Sequence, residues 1–164
     1  MASVEEFIDK RDGRTYKITV IGDAVWLAEN LDFKVKHSFP YENLEEYRKK
    51  YGLLYTYEAA LEAIPSGWRL PKKEDWDYLF DCIGGKENTS LLSGNTFTSF
   101  HLSFGGCKEV LSGFENRDSK AYFWLASEFG NMADAVAFSK NLNYPLEILS
   151  LKQSAFSVRL VLDA

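Results

Sequence analysis

The sequence predicts one domain of the α+β class, built on an antiparallel sheet. Three observations lead to this class: a hairpin pattern near the N-terminus, two helical stretches in the middle, and several short strand patterns after residue 90. Helices and strands that occur in separate blocks favour an antiparallel sheet over alternating β-α units. With 164 residues, the chain is long enough to bury about 70% of the surface that it exposes when unfolded.

The N-terminal hairpin is predicted from the stretch TYKITVIGDAVWLAENL. Apolar and polar residues alternate from Tyr16 to Val20, and Gly22-Asp23 then separates two strand patterns. Glycine readily adopts the positive φ that a two-residue hairpin turn requires. We expect Trp26 to lead from the hairpin into the core.

Two helices are predicted between residues 44 and 83. The first has a short opening part that Gly52 interrupts, and it continues from Tyr55 to Ile64, where Pro65 ends it. The second runs from about Lys73 to Ile83. Its buried face is a stripe with the spacing of a helix: Trp76, Leu79, Phe80 and Ile83.

The C-terminal part of the chain reads as short strands separated by polar turns. Alternate residues of the last strand pattern, from Phe156 to Leu162, are predicted to share one buried face. The four patterns are AYFWLAS (121–127), DAVAFSK (134–140), LEILSL (146–151) and AFSVRLVL (155–162).

Charge and hydropathy argue against several kinds of partner. The formal net charge is −5 and lysine and arginine form no cluster, which argues against nucleic acid and anionic membranes. No run of about 18 apolar residues is present that could span a membrane. The N-terminal residues contain no apolar stretch typical of a signal sequence. We therefore expect a cytoplasmic protein; a secreted or surface-anchored protein whose signal has been removed is the alternative.

No constellation of catalytic residues is apparent. His37 and His101 lie far apart, and neither has Cys, Asp or Glu at the spacing of metal ligands. No G-x-S-x-G nucleophile motif occurs, and GGKENTS (84–90) lacks the spacing of a phosphate-binding loop. We expect no enzymatic activity, no cofactor and no bound metal.

Five stretches together carry a family resemblance: RDGRTYKITVIGDAVWLAENL (11–31), YGLLYTYEAALEAIPSGWRLPKKEDWDYL (51–79), FGG (104–106), YFWLASE (122–128) and FSVRLVLD (156–163). They are similar to the Fibrobacter succinogenes major paralogous domain, a family of C-type-lectin-like fold related to the formylglycine-generating enzymes. The resemblance implies two helices flanking a twisted antiparallel sheet, long irregular loops, and N- and C-termini that lie close together. It also implies a single domain from residue 11 to residue 164, preceded by an N-terminal extension of residues 1–10.

The resemblance assigns several core residues. Family members commonly carry cysteines where this chain has Ile64 and Leu160, so these two residues are expected to be buried and to pack against each other in place of a disulfide. Cys82 and Cys107 are expected to be reduced, with at least one of them buried. The loss of the family cysteines favours a reducing compartment. The tryptophans complete the expected core: Trp26, Trp68, Trp76 and Trp124.

Calcium-dependent sugar binding is a further implication of the fold. C-type lectins use a Glu-Pro-Asn or Gln-Pro-Asp tripeptide and a Trp-Asn-Asp stretch as calcium ligands. In this chain, NYPLE (143–147) and YFWLAS (122–127) supply neither set of oxygen atoms. Any ligand is therefore expected to bind without calcium.

Recognition through C-terminal loops is the expected function. The loops SEFGNMAD (127–134) and SKNLNYPLE (139–147) are predicted to be carried by a rigid sheet, which is where binding residues often lie. We expect a non-enzymatic domain that binds a protein or a glycan. The alternatives are a structural or adhesin-type assembly subunit and a degenerate enzyme of the formylglycine-generating type. The asparagines could instead be turn residues. The candidate ligand-binding residues are Glu128, Asn131, Asn141, Asn143 and Tyr144.

Overall fold

The computed structural model describes residues 5–94 and 98–163 and has the predicted α+β class. The described residues form antiparallel sheets and three α-helices joined by long irregular segments. The strands are β1 (Glu6–Asp9), β2 (Arg14–Ile21), β3 (Ala24–Leu27), β4 (Ser38–Phe39), β5 (Leu54–Tyr55), β6 (Trp68–Arg69), β7 (Cys107–Glu109), β8 (Gly113–Glu115), β9 (Lys120–Phe129), β10 (Met132–Ser139), β11 (Leu146–Leu151) and β12 (Val161–Leu162). The helices are α1 (Glu45–Tyr51), α2 (Tyr57–Ala63) and α3 (Lys73–Cys82), with two 3₁₀ segments at Tyr41–Asn43 and Lys86–Leu92.

The main sheet joins the first strands of the chain to the last. Its order is β1-β2-β3-β12-β6, and each neighbouring pair is antiparallel. The predicted hairpin is confirmed, since Ile21 pairs with Ala24 and Gly22 turns the chain with a φ of +63°. Glu6–Asp9, which lies before the expected start of the domain at residue 11, pairs with β2 as the edge strand of this sheet.

A second sheet, of order β11-β10-β9, carries the C-terminal loops. β9 and β10 form a hairpin in which Phe129 lies opposite Met132 across a two-residue turn. Residues 140–145 connect β10 to β11. Within the described residues β11 pairs only with β10, so it forms an edge of this sheet.

The second predicted helix is confirmed as α3, with its apolar stripe directed into the core. The first differs from the prediction at its start. Tyr55 belongs to β5, and α2 begins at Tyr57 because Thr56 has an extended backbone and its hydroxyl accepts a hydrogen bond from the Ala59 N–H. A side-chain acceptor at this position satisfies one of the free N–H groups of the first turn.

The last predicted strand differs more strongly from the structure. Residues 154–161 are all buried, instead of alternating between core and solvent, and only Val161–Leu162 forms a regular strand. The segment lies between other strands and forms isolated bridges to them. Phe156 bridges to Tyr55 on β5, and Ser157 bridges to Phe123 on β9. Leu162, predicted to be buried, is 39% exposed, and its neighbour Val161 is buried instead.

Two large aromatic clusters make up most of the core of the described residues, and a smaller one surrounds Tyr41. In one, Trp124 lies against Phe156 with ring centroids 4.3 Å apart; in the other, Trp26 and Trp76 lie 4.8 Å apart. Trp68 belongs to the first cluster, so all four tryptophans are buried. Rings of this size contribute a few kcal/mol each when buried, at about 25 cal/mol per Å².

The pair expected to replace a family disulfide is only partly buried. Leu160 is fully buried in the first cluster. Ile64, expected to be buried as well, is half-buried and packs against that cluster from its margin. Ile64 is the capping residue that follows directly after the last residue of α2.

The two cysteines are free thiols, and the expectation that at least one is buried is confirmed. Cys107 on β7 is buried, whereas Cys82 at the end of α3 is exposed. Among the helices of the described residues, none has the length and apolar character needed to cross a membrane.

Candidate ligand-binding surface

The loop between β10 and β11 stands between two surface grooves. The first, which we call the Tyr144 groove, has a volume of about 200 Å³, and its lining is mainly apolar: Tyr122, Leu142, Tyr144, Leu146 and Ile148, with Lys120 and Ser139 as its polar members. The other, of about 240 Å³, has a more polar lining that includes Thr89, Ser90, Ser93, Lys140 and Asn143. Leu142 borders both grooves, so this loop separates the Tyr144 groove from a more polar one.

Small side chains on the central strand create the Tyr144 groove. In the sheet register, Ala137 on β10 lies between Tyr122 on β9 and Leu146 on β11. The Ala137 methyl group is smaller than the Tyr122 ring and the Leu146 side chain on either side of it, so the surface is lowest over β10. Ala135, the next residue on the same face, pairs with Trp124 and Ile148 and is fully buried. The small side chain of Ala137 between two larger ones therefore forms the floor of the groove.

The loop holds its shape through short-range hydrogen bonds. The Leu142 N–H donates to the Ser139 carbonyl at 3.2 Å, and the Asn141 N–H donates to the Ser139 hydroxyl at 3.3 Å. The Thr89 hydroxyl donates to the Asn143 carbonyl at 3.3 Å, which ties the loop to the 3₁₀ segment. A ligand that binds here meets a loop already held in shape, which lowers the entropy lost on binding.

Three of the five predicted ligand-binding residues lie on this loop. Asn141, Asn143 and Tyr144 are exposed, with Tyr144 exposed over 59% of its surface. Glu128 and Asn131 lie instead at the opposite end of β10, which spans eight residues. At about 3.3 Å per residue, the two groups are separated by roughly 20 Å and do not form one site.

Glu128 and Asn131 have a structural role at their end of the sheet. The Glu128 carboxylate accepts a hydrogen bond from the Lys152 ammonium at 3.0 Å. The Asn131 carbonyl accepts one from the Lys152 N–H, also at 3.0 Å. Both residues are exposed, and both of these contacts join the β9–β10 turn to the end of β11.

Large apolar side chains are concentrated around β10 and β11. Six of the fourteen large hydrophobic residues that are exposed in the described part of the chain lie between residues 129 and 151: Phe129, Leu142, Tyr144, Leu146, Leu149 and Leu151. Their positions fall on both faces and on the open edge of the second sheet. Three of them, Leu142, Tyr144 and Leu146, line one groove. Apolar exposure that is clustered marks interaction surfaces more often than single exposed residues do.

A separate cluster of potential metal ligands lies on the β7–β8 hairpin. The Cys107 thiol and a carboxylate oxygen from each of Glu109 and Glu115 all lie within 4.8 Å of one another. Burial, followed by the negative charges of Glu109 and Glu115, raises the pKa of the Cys107 thiol to about 12. The thiol is therefore protonated at neutral pH in the metal-free protein.

Sequence analysis missed this cluster and several groove residues. Cys107 and Glu115 are eight positions apart and become neighbours only through the hairpin register. The signal available in the sequence was that Cys107 and Glu109 stand two positions apart just before a turn, so that on a strand they would share one face. For the groove, the signal was the repeated small residue at Ala133, Ala135 and Ala137 within a strand pattern.

The chain belongs to the Fibrobacter succinogenes major domain family. The model of this family matches residues 19–162, which include the end of β2, the strands from β3 to β12, the three α-helices of the described residues and the loop between β10 and β11. No curated protein and no solved structure matches the chain. Family membership therefore stands on the sequence, and the ligand has to be inferred from the surface.

Proposed function

We propose that this chain is a non-enzymatic recognition domain of C-type-lectin-like fold that binds a protein ligand through the Tyr144 groove, without calcium. The observation that carries the proposal is the exposed Tyr144 ring beside a preformed apolar groove. Tyrosine combines a large apolar face with a hydroxyl and loses little entropy when it is fixed, so it is frequent in binding surfaces. The antiparallel sheets, the long irregular loops and the placement of first and last strands in one sheet support the fold assignment.

A protein ligand suits the surface better than a glycan does. Leu142 and Leu146 flank Tyr144 in the groove, and each is about half exposed. Aliphatic side chains offer little to the hydroxyl groups of a sugar, whereas they suit the apolar centre of a protein interface. A glycan would be expected to use the polar groove, where Asn143 and Lys140 lie.

Two substitutions test the Tyr144 groove, one by removing a side chain that lines it and the other by filling it. Tyr144→Ala removes the exposed ring, and Ala137→Leu fills the floor between the neighbouring strands. Each should weaken ligand binding by at least about tenfold, since aromatic residues at the centre of an interface are frequent hot spots. Leu111→Ala is the matched control, because Leu111 is fully exposed on the β7–β8 turn.

Protein ligands are sought by photo-crosslinking from position 141, which is exposed on the same loop, in an extract of the source organism. Glycan ligands are sought on an array of defined glycans. Each experiment is run with and without a chelator. The proposal predicts a protein that crosslinks in chelator, is retained by Leu111→Ala and is lost with Ala137→Leu. Binding that requires calcium, glycan binding that is unaffected by Ala137→Leu, or a ligand bound equally by all variants would contradict it.

An assembly subunit is the second candidate, and the open edge of β11 favours it. Leu149 and Leu151 lie on this edge strand and are about half exposed. Exposed apolar edge strands readily pair with another chain. Concentration-dependent self-association in sedimentation velocity that Leu149→Glu abolishes would favour assembly over recognition at the Tyr144 groove.

A further inference from the structure

The β7–β8 hairpin presents three potential metal ligands on one face. Cys107 pairs directly with Glu115, and Glu109 follows Cys107 by two positions on the same strand. Side chains alternate between the faces of a strand, so these three lie together while Lys108 and Phe114 lie on the other face. The short hairpin therefore fixes which residues converge.

The spacing of the three groups matches what a small tetrahedral ion needs. The Cys107 thiol donates to Glu109 Oε1 across 3.6 Å, and an oxygen of Glu115 lies within 4.8 Å of both groups. For zinc, bond lengths of about 2.3 Å to sulfur and about 2.0 Å to oxygen place two tetrahedral ligands about 3.5 Å apart. The first pair already has this separation, and Glu115 needs a small movement.

Neighbouring serines orient both carboxylates. The Ser154 hydroxyl donates to Glu109 Oε2 at 2.8 Å, which leaves Oε1 facing the sulfur atom. Ser154 is itself 1% exposed and adjoins Ala155, which bridges to β7. The Ser112 hydroxyl donates to Glu115 Oε1 at 2.6 Å. Hydrogen bonds of this kind hold metal ligands in position and tune their affinity.

The negative charge of the cluster is not balanced by the protein. In residues 5–94 and 98–163, no ion pair joins Glu109 or Glu115 to a lysine, arginine or histidine. Lys108 lies between two of the ligands in sequence, but its ammonium group sits 4.3 Å from the ring centroid of Phe39, on the other face. A buried thiol, 1% exposed, is thus directed at two carboxylates that have no cationic partner. Converging anionic groups without a cation repel one another, and a bound divalent ion would relieve this repulsion.

We propose that Cys107, Glu109 and Glu115 bind a thiophilic divalent cation of the zinc type. A sulfur ligand selects zinc and cobalt over the hard cations calcium and magnesium. On binding, the sulfur–hydrogen bond of Cys107 breaks, the proton leaves to solvent and the thiolate coordinates the ion. Three protein ligands leave a tetrahedral ion one position for water. The site is independent of the Tyr144 groove.

Cobalt titration of the whole chain, followed by absorbance, tests the proposal, because only a sulfur-bound cobalt ion shows a sulfur-to-cobalt charge-transfer band. We expect the band to saturate at a single ion per chain and to disappear when zinc is added. Cys107→Ser should abolish the band, and Cys82→Ser, which alters the exposed cysteine, should retain it. Ser154→Ala keeps all three ligands and should weaken binding by about tenfold or more.

Several outcomes would overturn the proposal. They are the absence of a band in the folded wild-type protein, a band that survives Cys107→Ser, and a band that Cys82→Ser removes. Circular dichroism checks that each variant is folded. If Cys107→Ser does not fold, Glu109→Gln and Glu115→Gln decide the question, since both retain the thiol and both should lose tight cobalt binding.

Discussion

At the scale of single residues, Arg159 connects three segments of the chain from inside the core. Its guanidinium group donates to the side-chain carbonyl of Asn30 from two nitrogens, at 3.1 and 2.8 Å. It also donates to the carbonyls of Phe100 at 2.6 Å and His101 at 3.1 Å. The Phe100 ring lies beneath it, 4.5 Å from the guanidinium carbon to the ring centroid. Burial lowers the pKa of Arg159 to about 9.

Replacing Arg159 should destabilise the protein even when the new side chain fills the same space. Arg159→Met supplies an apolar side chain of similar length but leaves the oxygen acceptors of Asn30, Phe100 and His101 without the guanidinium donors. Each unpaired buried acceptor costs about 1–3 kcal/mol, so we expect a loss of roughly 3–5 kcal/mol in the free energy of unfolding. Urea denaturation measures this loss as a lower midpoint at unchanged slope.

Arg159→Lys separates the effect of charge from that of geometry. Lysine keeps the positive charge but replaces five fixed donors with three on a flexible stem. We expect it to be destabilised as well, because the paired contact with Asn30 is lost. A methionine variant as stable as the wild type would show that the buried network contributes nothing to stability.

At the scale of elements, the turn before α3 shows how one carboxylate fixes the start of a helix. Asp75 accepts a hydrogen bond from the Lys72 N–H at 2.7 Å, so it closes the first turn. The same carboxylate receives two hydrogen bonds from Arg69, at 2.6 and 3.0 Å. Arg69 belongs to β6, so Asp75 fixes the angle between the main sheet and α3. This angle places Trp76 against Trp26 in the core.

Asp75→Ala should destabilise the fold, whereas Asp77→Ala should not. The first variant loses the helix-start acceptor and leaves Arg69 without its paired carboxylate, a loss of about 1–3 kcal/mol in the free energy of unfolding. Asp77 lies two residues further along α3, and its carboxylate forms a long ion pair, 3.8 Å, with the exposed Lys86. Its removal should change stability by less than about 0.5 kcal/mol. Thermal unfolding of both variants compares them, and equal losses would contradict the role of Asp75.

Elements defined by local chemistry could be predicted from the sequence, and those defined by distant contacts could not. The β2–β3 hairpin follows from Gly22, and α3 follows from a stripe with helical period. The segment around Arg159 shows the limit. Its alternating apolar residues predicted one buried face, but strands on both sides bury Ser157 and Arg159 as well.

The candidate binding surface shows the same division. The loop carrying Tyr144 was predicted because polar and aromatic residues stand between two strand patterns. Its separation from Glu128 could not be predicted, because it depends on the hairpin of β9 and β10 placing the two loops at opposite ends of the sheet. The alanine floor of the Tyr144 groove depends likewise on register across three strands.

At the scale of the whole molecule, stability is expected to come from the aromatic core and not from calcium. Seven large rings of the core are buried: Tyr16, Trp26, Trp68, Trp76, Phe80, Trp124 and Phe156. They are divided between two clusters, one containing α2 and the other containing the stripe of α3. Burial of this kind suffices for a domain of this length without a metal or a disulfide.

Melting curves in chelator and in millimolar calcium should therefore superimpose. In the described part of the chain, the group of potential metal ligands is the one containing the Cys107 thiol, and a sulfur ligand disfavours a hard cation that prefers oxygen. A calcium site occupied at about 1,000 times its dissociation constant would stabilise the fold by about 4 kcal/mol. For a chain of this length, that corresponds to a rise of about 10 °C in melting temperature.

Differential scanning calorimetry of the wild type with calcium and with chelator measures this effect. Zinc and the Cys107→Ser variant provide the comparison, since zinc should raise the melting temperature of the wild type and not that of the variant. A rise of several degrees with calcium would contradict the prediction and would place a calcium site on the loops between residues 127 and 147.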